Sequence, residues 1–394
     1  MQTDYDLIIV GGGLAGNCLA LALQDTGLKV AVVEANTREQ QHAAAAGDRA
    51  LALAAGTVMM LETLNVWQGI GQMATAIKHI HVSDQGHFGK TRLSAAKEGV
   101  DALGYVIAAR DIETHVAQLV EYAGIDVLAP VRVVGLMAGN DSIEVSLKQG
   151  AEPLNLSAKL VVGADGGLSS VRQLLGINQH VTEYGQTAIV STINSSLANQ
   201  NIAFERFTAS GPLALLPTGK YQSALVWTRN HADAQALLLG GEAEFIAELQ
   251  QCFGYKLGSL SLAAPRRMFP LSLIQAEKML ADRAVIIGNA VHQLHPVAGQ
   301  GFNLGLRDVV GLAKMLATQH GQGKDIGAPD FLAAYATARK KDHHLTIGFT
   351  DTVVKVFSNE WLALAAARNI GLTLLDHIPA AKKLLARHAM GLAG

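Results

Sequence analysis

A glycine-rich stretch near the start of the chain has the spacing of a nucleotide-binding loop. Gly11, Gly13 and Gly16 form a Gly-x-Gly-x-x-Gly pattern after an apolar run typical of a strand, and Glu34 ends the next predicted strand. Gly11 permits a tight turn, Gly13 lets backbone approach a pyrophosphate, and Gly16 lets helix and strand pack closely. The Glu34 carboxylate can accept hydrogen bonds from a ribose. These residues predict a bound dinucleotide, without separating FAD from NAD.

A second group of chemically useful residues lies at 288–309, with the sequence GNAVHQLHPVAGQGFNLGLRDV. Residues 283–287 are β-branched and apolar like a buried strand, while 304–316 have the apolar spacing of a helix. The segment between them therefore crosses from a strand into a helix. A helix N-terminus exposes free N–H groups and partial positive charge, and glycines let a ligand approach them. We expect a ligand at this crossing.

Two further positions have two interpretations each. Asp165, followed by Gly166 in a strand, turn and helix start at 160–172, could orient backbone near a cofactor or cap the following helix. The composition of the 160–172 segment alone favours the role of a helix cap for Asp165. Arg49 begins a helix-like apolar pattern and could reach a phosphate, but an arginine in such a place is as often a surface residue.

The histidines do not form a metal-binding pattern in the sequence. His292 and His295 are three residues apart, which on a helix could offer two ligands to a metal, but neither a carboxylate nor a third histidine lies nearby in sequence. Pro296 places the pair before the helix. His343 and His344 are adjacent, so they face different directions and are solvated or packed. We therefore predict no metal site.

The elements that would position these residues alternate between two patterns. Residues 5–34 predict a βαβ unit whose first strand is Tyr5–Val10, and 104–175 and 276–316 show similar alternation. Residues 180–273 form short strand-like pieces with few helical stretches, and 78–99 is expected to join that layer. The sequence predicts an α/β fold with three parts. They are a discontinuous Rossmann-like domain (1–77, 100–178 and 274–340), an interleaved β-rich substrate domain (78–99 and 179–273) and a helical C-terminal region (341–394).

Composition excludes several classes of function. The chain has 394 residues, long for one hydrophobic core, and a formal net charge of −2 with no basic face for nucleic acid. Cys18 and Cys252 suggest neither a disulfide framework nor structural zinc, which fits a reducing cytosol. Because no apolar run approaches the ~18 residues that cross a bilayer, we expect no membrane span. The Gly-rich start leaves no room for a signal peptide, so the mature chain is expected to start here.

Three motifs, in their order and at their separations, resemble those of the class A flavoprotein monooxygenases of the para-hydroxybenzoate hydroxylase type. They are the glycine loop at 11–16, the Asp165-Gly166 turn and the segment 288–309. The resemblance covers nearly the whole chain and identifies the dinucleotide as tightly but non-covalently bound FAD. It implies that NAD(P)H reduces the flavin and that O₂ supplies an oxygen atom to a phenol ring. The sequence has no second Gly-x-Gly-x-x-Gly loop after a strand, so NAD(P)H is expected to bind transiently near Asp165.

The family's motifs carry over residue by residue. Asn289 departs from the usual aspartate, although its carbonyl oxygen can still accept from a ribityl hydroxyl. Pro296 is expected beside the reactive edge of the flavin, and N–H groups near Gly299 to Gly301 are expected at its pyrimidine oxygens. The resemblance implies the following cofactor-binding residues: Gly11, Gly13, Leu14, Ala15, Gly16, Glu34, Ala35, Arg49, Arg110, Asp165, Gly166, Asn289, Pro296, Gly299, Gln300, Gly301, Phe302 and Asn303.

Finer similarity points to the ubiquinone-pathway hydroxylases, and most to the 2-polyprenyl-6-methoxyphenol hydroxylases. It extends beyond the cofactor motifs into HVSDQGH and FERFTASGPLALLP, which belong to the predicted substrate layer. The implied substrate is a lipid-like polyprenylated methoxyphenol. No residue stands out as a base for the phenol. The alternatives are a flavin hydroxylase of a small soluble aromatic and a non-catalytic prenyl-binding carrier of the same fold.

The C-terminal segment 378–390, IPAAKKLLARHAM, combines basic residues with leucines. Such a helix can lie on anionic lipid, although a solvated or partner-binding helix has the same pattern. We expect a cytoplasmic protein that associates peripherally with the inner membrane or with a ubiquinone-biosynthesis complex. An oligomer is also compatible with the sequence.

Overall fold

The chain alternates strands and helices along most of its length. The structure, a computed structural model, describes residues 3–295, 299–357 and 377–392. The strands are β1 (Tyr5–Val10), β2 (Val30–Val33), β3 (Ala50–Ala54), β4 (Thr75–Ile77), β5 (His79–Asp84), β6 (Lys90–Ser94), β7 (Gly104–Ala108), β8 (Asp126–Leu128), β9 (Arg132–Ala138), β10 (Ile143–Gln149), β11 (Glu152–Gly163), β12 (Gln179–Ser195), β13 (Ile202–Thr208), β14 (Gly211–Gly219), β15 (Gln222–Asn230), β16 (Leu260–Leu262), β17 (Arg267–Ala276), β18 (Leu280–Ala281), β19 (Ala284–Ile286) and β20 (His292–Gln293). The helices are α1 (Leu14–Leu23), α2 (Arg38–Ala43), α3 (Ala55–Thr63), α4 (Trp67–Ile70), α5 (Ala95–Glu98), α6 (Ala109–Tyr122), α7 (Ser170–Leu174), α8 (His231–Leu239), α9 (Glu242–Phe253), α10 (Gln300–Gly321), α11 (Pro329–Phe357) and α12 (Pro379–Ala389).

The first sheet brings the glycine loop and the crossing segment to one edge. Its path is β18-β19-β11-β1-β2-β8, and the pairs from β19 through β8 are parallel. Leu7, Ile8 and Ile9 are all fully buried, as expected for a central parallel strand covered on both faces. Helices α1 and α10 pack against each other beside this sheet. The fold is therefore a Rossmann-like α/β domain, as the sequence predicted.

The second sheet has nine strands and is largely antiparallel. Its path is β20-β17-β12-β15-β14-β13-β5-β6, with β16 paired to β12. It draws on 79–94, 179–276 and 292–293, so the chain enters and leaves it several times. Only β13 and β5 pair in parallel among its described strands.

Two helices interrupt the region that the sequence pattern described as having few helical stretches. Helices α8 and α9 lie between β15 and β16 and cover one face of the second sheet, where Phe245, Leu249 and Phe253 pack with Trp227. These residues of α9 are spaced four apart, which is helical spacing. Residues 231–239 and 242–253 are therefore the helical stretches within this β-rich region.

The remaining elements join the two sheets. Strands β3, β7 and β4 form a three-stranded sheet, and α11 begins at Pro329, before the predicted helical C-terminal region at 341–394, and continues into it. Ala386 and Met390, at the end of α12, are buried against Leu93 and Leu103. Within the described residues, no helix combines the length and the apolar character that a membrane span needs.

Candidate active site

A cavity of about 1580 Å³ lies between the first sheet and the second. Gly11, Glu34 and Ala164 follow β1, β2 and β11 and line it, so it opens at the carboxyl ends of the parallel strands. Ligands of α/β folds bind at this edge. The volume exceeds the ~300–1,000 Å³ of ordinary small-molecule sites, which leaves space for a dinucleotide and a second molecule.

Most of the predicted cofactor-binding residues meet in this cavity. Gly16 does not line it, because it packs under the loop against Gly11. Pro296 lies outside the described residues. The predicted residues that line the cavity are Gly11, Gly13, Leu14, Ala15, Glu34, Ala35, Arg49, Arg110, Asp165, Gly166, Asn289, Gly299, Gln300, Gly301, Phe302 and Asn303.

The three glycines of the first loop have different reasons to lack a side chain. Gly11 has φ of 111°, and a Cβ there would lie 2.6 Å from the carbonyl oxygen of Ala164. A Cβ on Gly16 would collide with the carbonyl of Gly11. A Cβ on Gly13 would meet no protein atom within 4 Å, because it would point into the cavity. The first two glycines serve the fold, whereas Gly13 leaves a space that a ligand can fill.

Glu34 is held where the loop turns into α1. Its carboxylate accepts from the backbone N–H of Gly12 (2.8 Å) and of Asn36 (2.8 Å), and from the Asn36 amide (3.0 Å). Glu34 is only 9% exposed, and it lines the cavity. Oε1 accepts both bonds from Asn36, whereas Oε2 accepts one bond from Gly12 and keeps a lone pair for a ribose hydroxyl.

Two arginines enter the cavity from different environments. Burial lowers the pKa of Arg49, whose guanidinium lies 5.7 Å from the centre of the Phe269 ring. Arg110 pairs with Asp48, which also accepts from Arg267 at 2.7 Å. Arg49 is therefore an exposed residue that borders the cavity, and Arg110 is held by its ion pair.

Asp165 has the capping role that composition favoured. Its carboxylate accepts from the backbone N–H groups of Ser170 (2.7 Å) and Val171 (3.1 Å) and from the hydroxyls of Ser169 and Ser170 (2.8 Å for Ser170). Gly166 has φ of 83°, and a Cβ there would meet no atom within 4 Å. The carboxylate thus fixes the start of α7, while the backbone of the Asp165-Gly166 turn borders the cavity.

Arg172 ties two cavity loops together, and the sequence analysis did not single it out. It is 2% exposed and donates to the carbonyls of Ala290 (2.9 Å) and Gly167 (2.8 Å). Burial lowers its pKa. A buried arginine between two glycine turns therefore sets their spacing, and its signal in the sequence is a charge directly after the apolar Val171.

The crossing segment begins with a turn that exposes Asn289. Gly288 has φ of 59° and opens a 3₁₀ turn over Gly288–Ala290, in which the flanking residues are buried and Asn289 is exposed. The Asn289 side chain lines the cavity. Asn289 is thus the residue of this turn whose side chain is available to a ligand.

The N-terminus of α10 faces the same cavity. The helix begins at Gln300, four residues before the predicted Leu304, and Gly299 precedes it with φ of 61°. Gln300 and Gly301 line the cavity, and a Cβ on Gly301 would meet no protein atom within 4 Å. The first turn of this 22-residue helix therefore borders the cavity with N-terminal N–H groups that lie beyond the reach of the helix's own carbonyls.

Asn303 positions this helix start through its side chain. Its amide oxygen accepts from the Ala54 N–H (3.0 Å) and the Thr57 hydroxyl (2.6 Å), and its amide nitrogen donates to the carbonyls of Ala52 (3.0 Å) and Gly299 (2.7 Å). Both lone pairs and both hydrogens are used. The side chain fastens α10 to β3, so any contact of Asn303 with a ligand has to come from its backbone.

His292 joins a buried charged cluster that the sequence spacing did not reveal. Its Nε2 lies 3.6 Å from the carboxylate of Asp308, which also accepts from His343 (2.7 Å) and Arg339 (2.7 Å). No carboxylate or third histidine lies near His292 in sequence, but in space α10 supplies Asp308 and α11 supplies His343. His295 is not part of the cluster.

The charge of this cluster is balanced by an arginine. Burial acts to raise the pKa of Asp308, but the hydrogen bond from His343 and the charge of Arg339 lower it overall. Burial lowers the pKa of His292 to about 4. A carboxylate already paired with a guanidinium does not require a metal ion for neutralisation. The sequence could have indicated this carboxylate, since Asp308 falls on the apolar face of α10 with Leu304, Leu312 and Leu316.

The residues present fit FAD. Gly13 in the first glycine loop and Gly301 in the first turn of α10 both leave open space beside the backbone. Glu34 offers an acceptor for a ribose, and the N-terminus of α10 offers donors. The remaining wall of the cavity is the second sheet, which contributes small apolar side chains such as Ala203, Ala214 and Ala224. The cavity therefore has a nucleotide half and an apolar half.

Comparison with known proteins gives the same result. Residues 4–347 match the family model described as FAD binding domain. The chain is 37% identical over 399 residues to an uncharacterized protein, slr1300, of Synechocystis sp., covering 100% of this chain and 94% of that protein. It is 36% identical over 392 residues to the ubiquinone hydroxylase UbiL of Rhodospirillum rubrum, covering 98% of this chain and 89% of that protein.

A solved structure shares the fold. The p-nitrophenol 4-monooxygenase PnpA from Pseudomonas putida DLL-E4 matches with a TM-score of 0.81 at 17% identity, over 100% of this chain and 99% of that chain. At this identity the match concerns the arrangement of the two sheets and their helices.

Proposed function

The chain belongs to the FAD binding domain family and is an FAD-dependent monooxygenase, and we propose that it hydroxylates the ring of a polyprenylated methoxyphenol in ubiquinone biosynthesis. NAD(P)H and O₂ are the co-substrates. The observation that carries the proposal is the extent of the similarity to UbiL, which covers 98% of the chain. It therefore includes the second sheet, where the substrate would be recognised, as well as the cofactor loops.

The protein's part in this reaction is binding, orientation and exclusion of water. When bound, FAD accepts electrons from NAD(P)H and transfers one oxygen atom of O₂ to the aromatic ring. Gly11, Gly13 and Glu34 would hold the adenosine and pyrophosphate. Asn289 and the N–H groups at the start of α10 would hold the ribityl chain and flavin ring, and these N–H groups would stabilise the negative charge of reduced flavin.

The apolar half of the cavity supports a prenylated substrate. Each buried CH₂ of a prenyl tail contributes ~0.8 kcal/mol, so the tail supplies binding energy that a small phenol lacks. Val190, Leu216 and Val226 line this half. A small soluble aromatic remains the second candidate, because the shared fold with a p-nitrophenol monooxygenase accommodates such a substrate. A non-catalytic prenyl carrier is disfavoured by the intact glycine loops.

A substrate panel tests the proposal. NAD(P)H oxidation and product mass are measured with methoxyphenols of increasing prenyl length and with 4-hydroxybenzoate as the charged, unprenylated control. We expect kcat/KM to rise by up to about fourfold per buried CH₂. We also expect the fraction of NAD(P)H oxidation coupled to hydroxylation to increase. Equal or better coupled turnover of 4-hydroxybenzoate would replace the proposal by the small-aromatic alternative.

We also propose that the enzyme works at a membrane surface, because a polyprenylated substrate partitions into lipid. Helix α12 carries Lys382, Lys383 and Arg387, and Leu384 is 67% exposed. Basic side chains beside an exposed leucine suit an anionic lipid surface. The same surface is open to a partner in a ubiquinone-biosynthesis complex.

A further inference from the structure

One ionisable side chain of the second sheet faces the cavity. Glu205 lies on β13, directly opposite Val82 of β5 and Ala214 of β14. Ala214 pairs in turn with Val226, and Val226 with Val190. Because directly paired residues point to the same face of a sheet, these five side chains form one row across it. All five line the cavity.

The neighbouring row on the same face is apolar apart from one hydroxyl. It contains Ile80, Ala203, Leu216, Ala224 and Thr192, and all of them line the cavity. The two rows therefore form an apolar wall whose polar groups are the Thr192 hydroxyl and the Glu205 carboxyl group.

The basic residues near Glu205 in sequence lie on the other face of the sheet. Alternation along β13 and β5 directs Arg206 and His81 away from the cavity, together with Arg92 and Lys256. Burial and these cations lower the pKa of His81 to about 4. The positive charges therefore cluster around His81, on the face of the sheet opposite to the cavity.

The other ionisable groups of the cavity lining come from outside the second sheet. Within the described part of the chain, no hydrogen bond or ion pair joins any of them to Glu205. Glu205 is partly accessible, and its accessible surface borders the cavity. These other groups are Glu34, Arg38, His42, Asp48, Arg49, Arg110, Asp111, Glu113, Arg132, Asp165 and His295.

A carboxyl group in such a place is costly for the fold. Burial raises the pKa of Glu205 to about 7, and no neighbouring charge contributes to the shift. A structural role would require a partner, since buried polar groups without hydrogen bonds destabilise proteins. The accessible part of Glu205 borders the cavity, so a ligand with a polar hydrogen bound there can replace water as the partner of the carboxylate.

We propose that the Glu205 carboxylate accepts the proton of the substrate's phenol hydroxyl. This inference rests on the proposed function and adds a catalytic residue to it. The phenol O–H bond breaks, the proton forms an O–H bond with the Glu205 carboxylate, and the electron pair stays on the phenolate oxygen. The negative charge moves from the protein to the ring, with no change in oxidation state. The resulting phenolate is more electron-rich at its ring carbons, where the oxygen atom is transferred.

The raised pKa of Glu205 makes this proton transfer less unfavourable than transfer to an ordinary glutamate would be. A free phenol side chain has a pKa of ~10 and a free glutamate ~4.3. The raised pKa of Glu205, about 7, narrows that difference and places the base near the operating pH, where general bases are most effective. The carboxylate form is required, so hydroxylation should increase as pH rises through about 7 and then level off.

Glu205→Gln tests the proposal, with Glu183→Gln as the matched control, because Glu183 is an exposed glutamate of the same sheet. We expect Glu205→Gln to keep its bound FAD, to lose about 10²- to 10⁴-fold in hydroxylation rate and to lose the rise of the rate near pH 7. Glu183→Gln should behave as the parent. Coupled turnover and an unchanged pH profile in Glu205→Gln would overturn the role of Glu205.

A second measurement uses the unsubstituted protein, so the proposal does not depend on the folding of a variant. The prenylated phenol is compared with its methyl ether, which has no hydroxyl proton to give. We expect only the phenol to be hydroxylated in proportion to the NAD(P)H consumed, at a rate that rises as pH increases through about 7. Hydroxylation of the methyl ether at the rate of the phenol would contradict the proposal. If no prenylated phenol is hydroxylated at all, the proposed function fails instead.

Discussion

Substitution of Gly13 is expected to separate cofactor binding from folding. A Cβ there meets no protein atom within 4 Å and points into the cavity, so Gly13→Val should fold normally while its side chain fills the space for the pyrophosphate. We expect FAD affinity to fall by more than about tenfold, equivalent to ~1.4 kcal/mol. Flavin absorbance after gel filtration measures the bound fraction.

Gly348→Val is the control for this substitution, because Gly348 lies on α11 and a Cβ there also meets no atom within 4 Å. It should retain FAD in full. Stoichiometric FAD in a folded Gly13→Val protein would mean that the loop does not hold the pyrophosphate.

At the scale of single residues, the sequence predicted which positions meet but not what each side chain does there. The Gly11 to Gly16 spacing and Glu34 specify a local turn, so their placement followed from short-range geometry. The amide of Asn303 is instead used up by β3 and Gly299. That arrangement depends on residues about 250 positions away, which spacing in the sequence does not encode.

Glu205 was missed for a related reason. Alternation in the strand places it with Ala203 and Phe207 on one face, which is a signal of burial in the sequence. That this face borders a cavity, rather than an ordinary core, depends on the packing of two sheets.

At the scale of elements, α12 determines whether membrane association is direct. Leu385 and Ala389 line the cavity, and Ala386 and Met390 are buried against the protein. The apolar face of the helix is therefore largely occupied, leaving Leu384 and the basic side chains outside. Binding to lipid through this helix has to be mainly electrostatic.

Charge reversal tests this without removing residues that pack in the core. Lys382→Glu with Lys383→Glu should reduce flotation with anionic vesicles several-fold, since each basic residue near an anionic surface contributes ~1 kcal/mol. Lys340→Glu with Lys341→Glu, on α11, is the control and should float as the parent does. Equal flotation of the α12 variant and the parent would show that α12 does not bind lipid.

Element boundaries were predicted well where one pattern dominated. Strand β1 has the predicted bounds, Tyr5–Val10, because its apolar run is continuous and ends at a glycine. Helix α10 starts four residues earlier than predicted, since Gly299 with φ of 61° precedes it and glycines at its first turn conceal the helical pattern. The positions of α8 and α9 were not predicted, because the strands on either side of them dominate the pattern of this region.

At the scale of the whole molecule, the cavity joins a nucleotide-binding edge to an apolar sheet wall. Residues from both sheets and from α10, α11 and α12 line it. Enclosure of this kind excludes water from the reacting groups and aligns ring and cofactor. The sequence predicted the two layers, but the single shared cavity follows from how they pack.

The fate of molecular oxygen tests the proposed monooxygenation most directly. The purified protein, with its bound FAD, is supplied with NAD(P)H, a prenylated methoxyphenol and O₂ labelled with the heavy oxygen isotope, and the product is measured by mass spectrometry. We expect a ring-hydroxylated product that contains one labelled oxygen atom, formed in proportion to the NAD(P)H consumed. A product carrying oxygen from water, or NAD(P)H oxidation that yields no hydroxylated ring, would contradict the proposed monooxygenation.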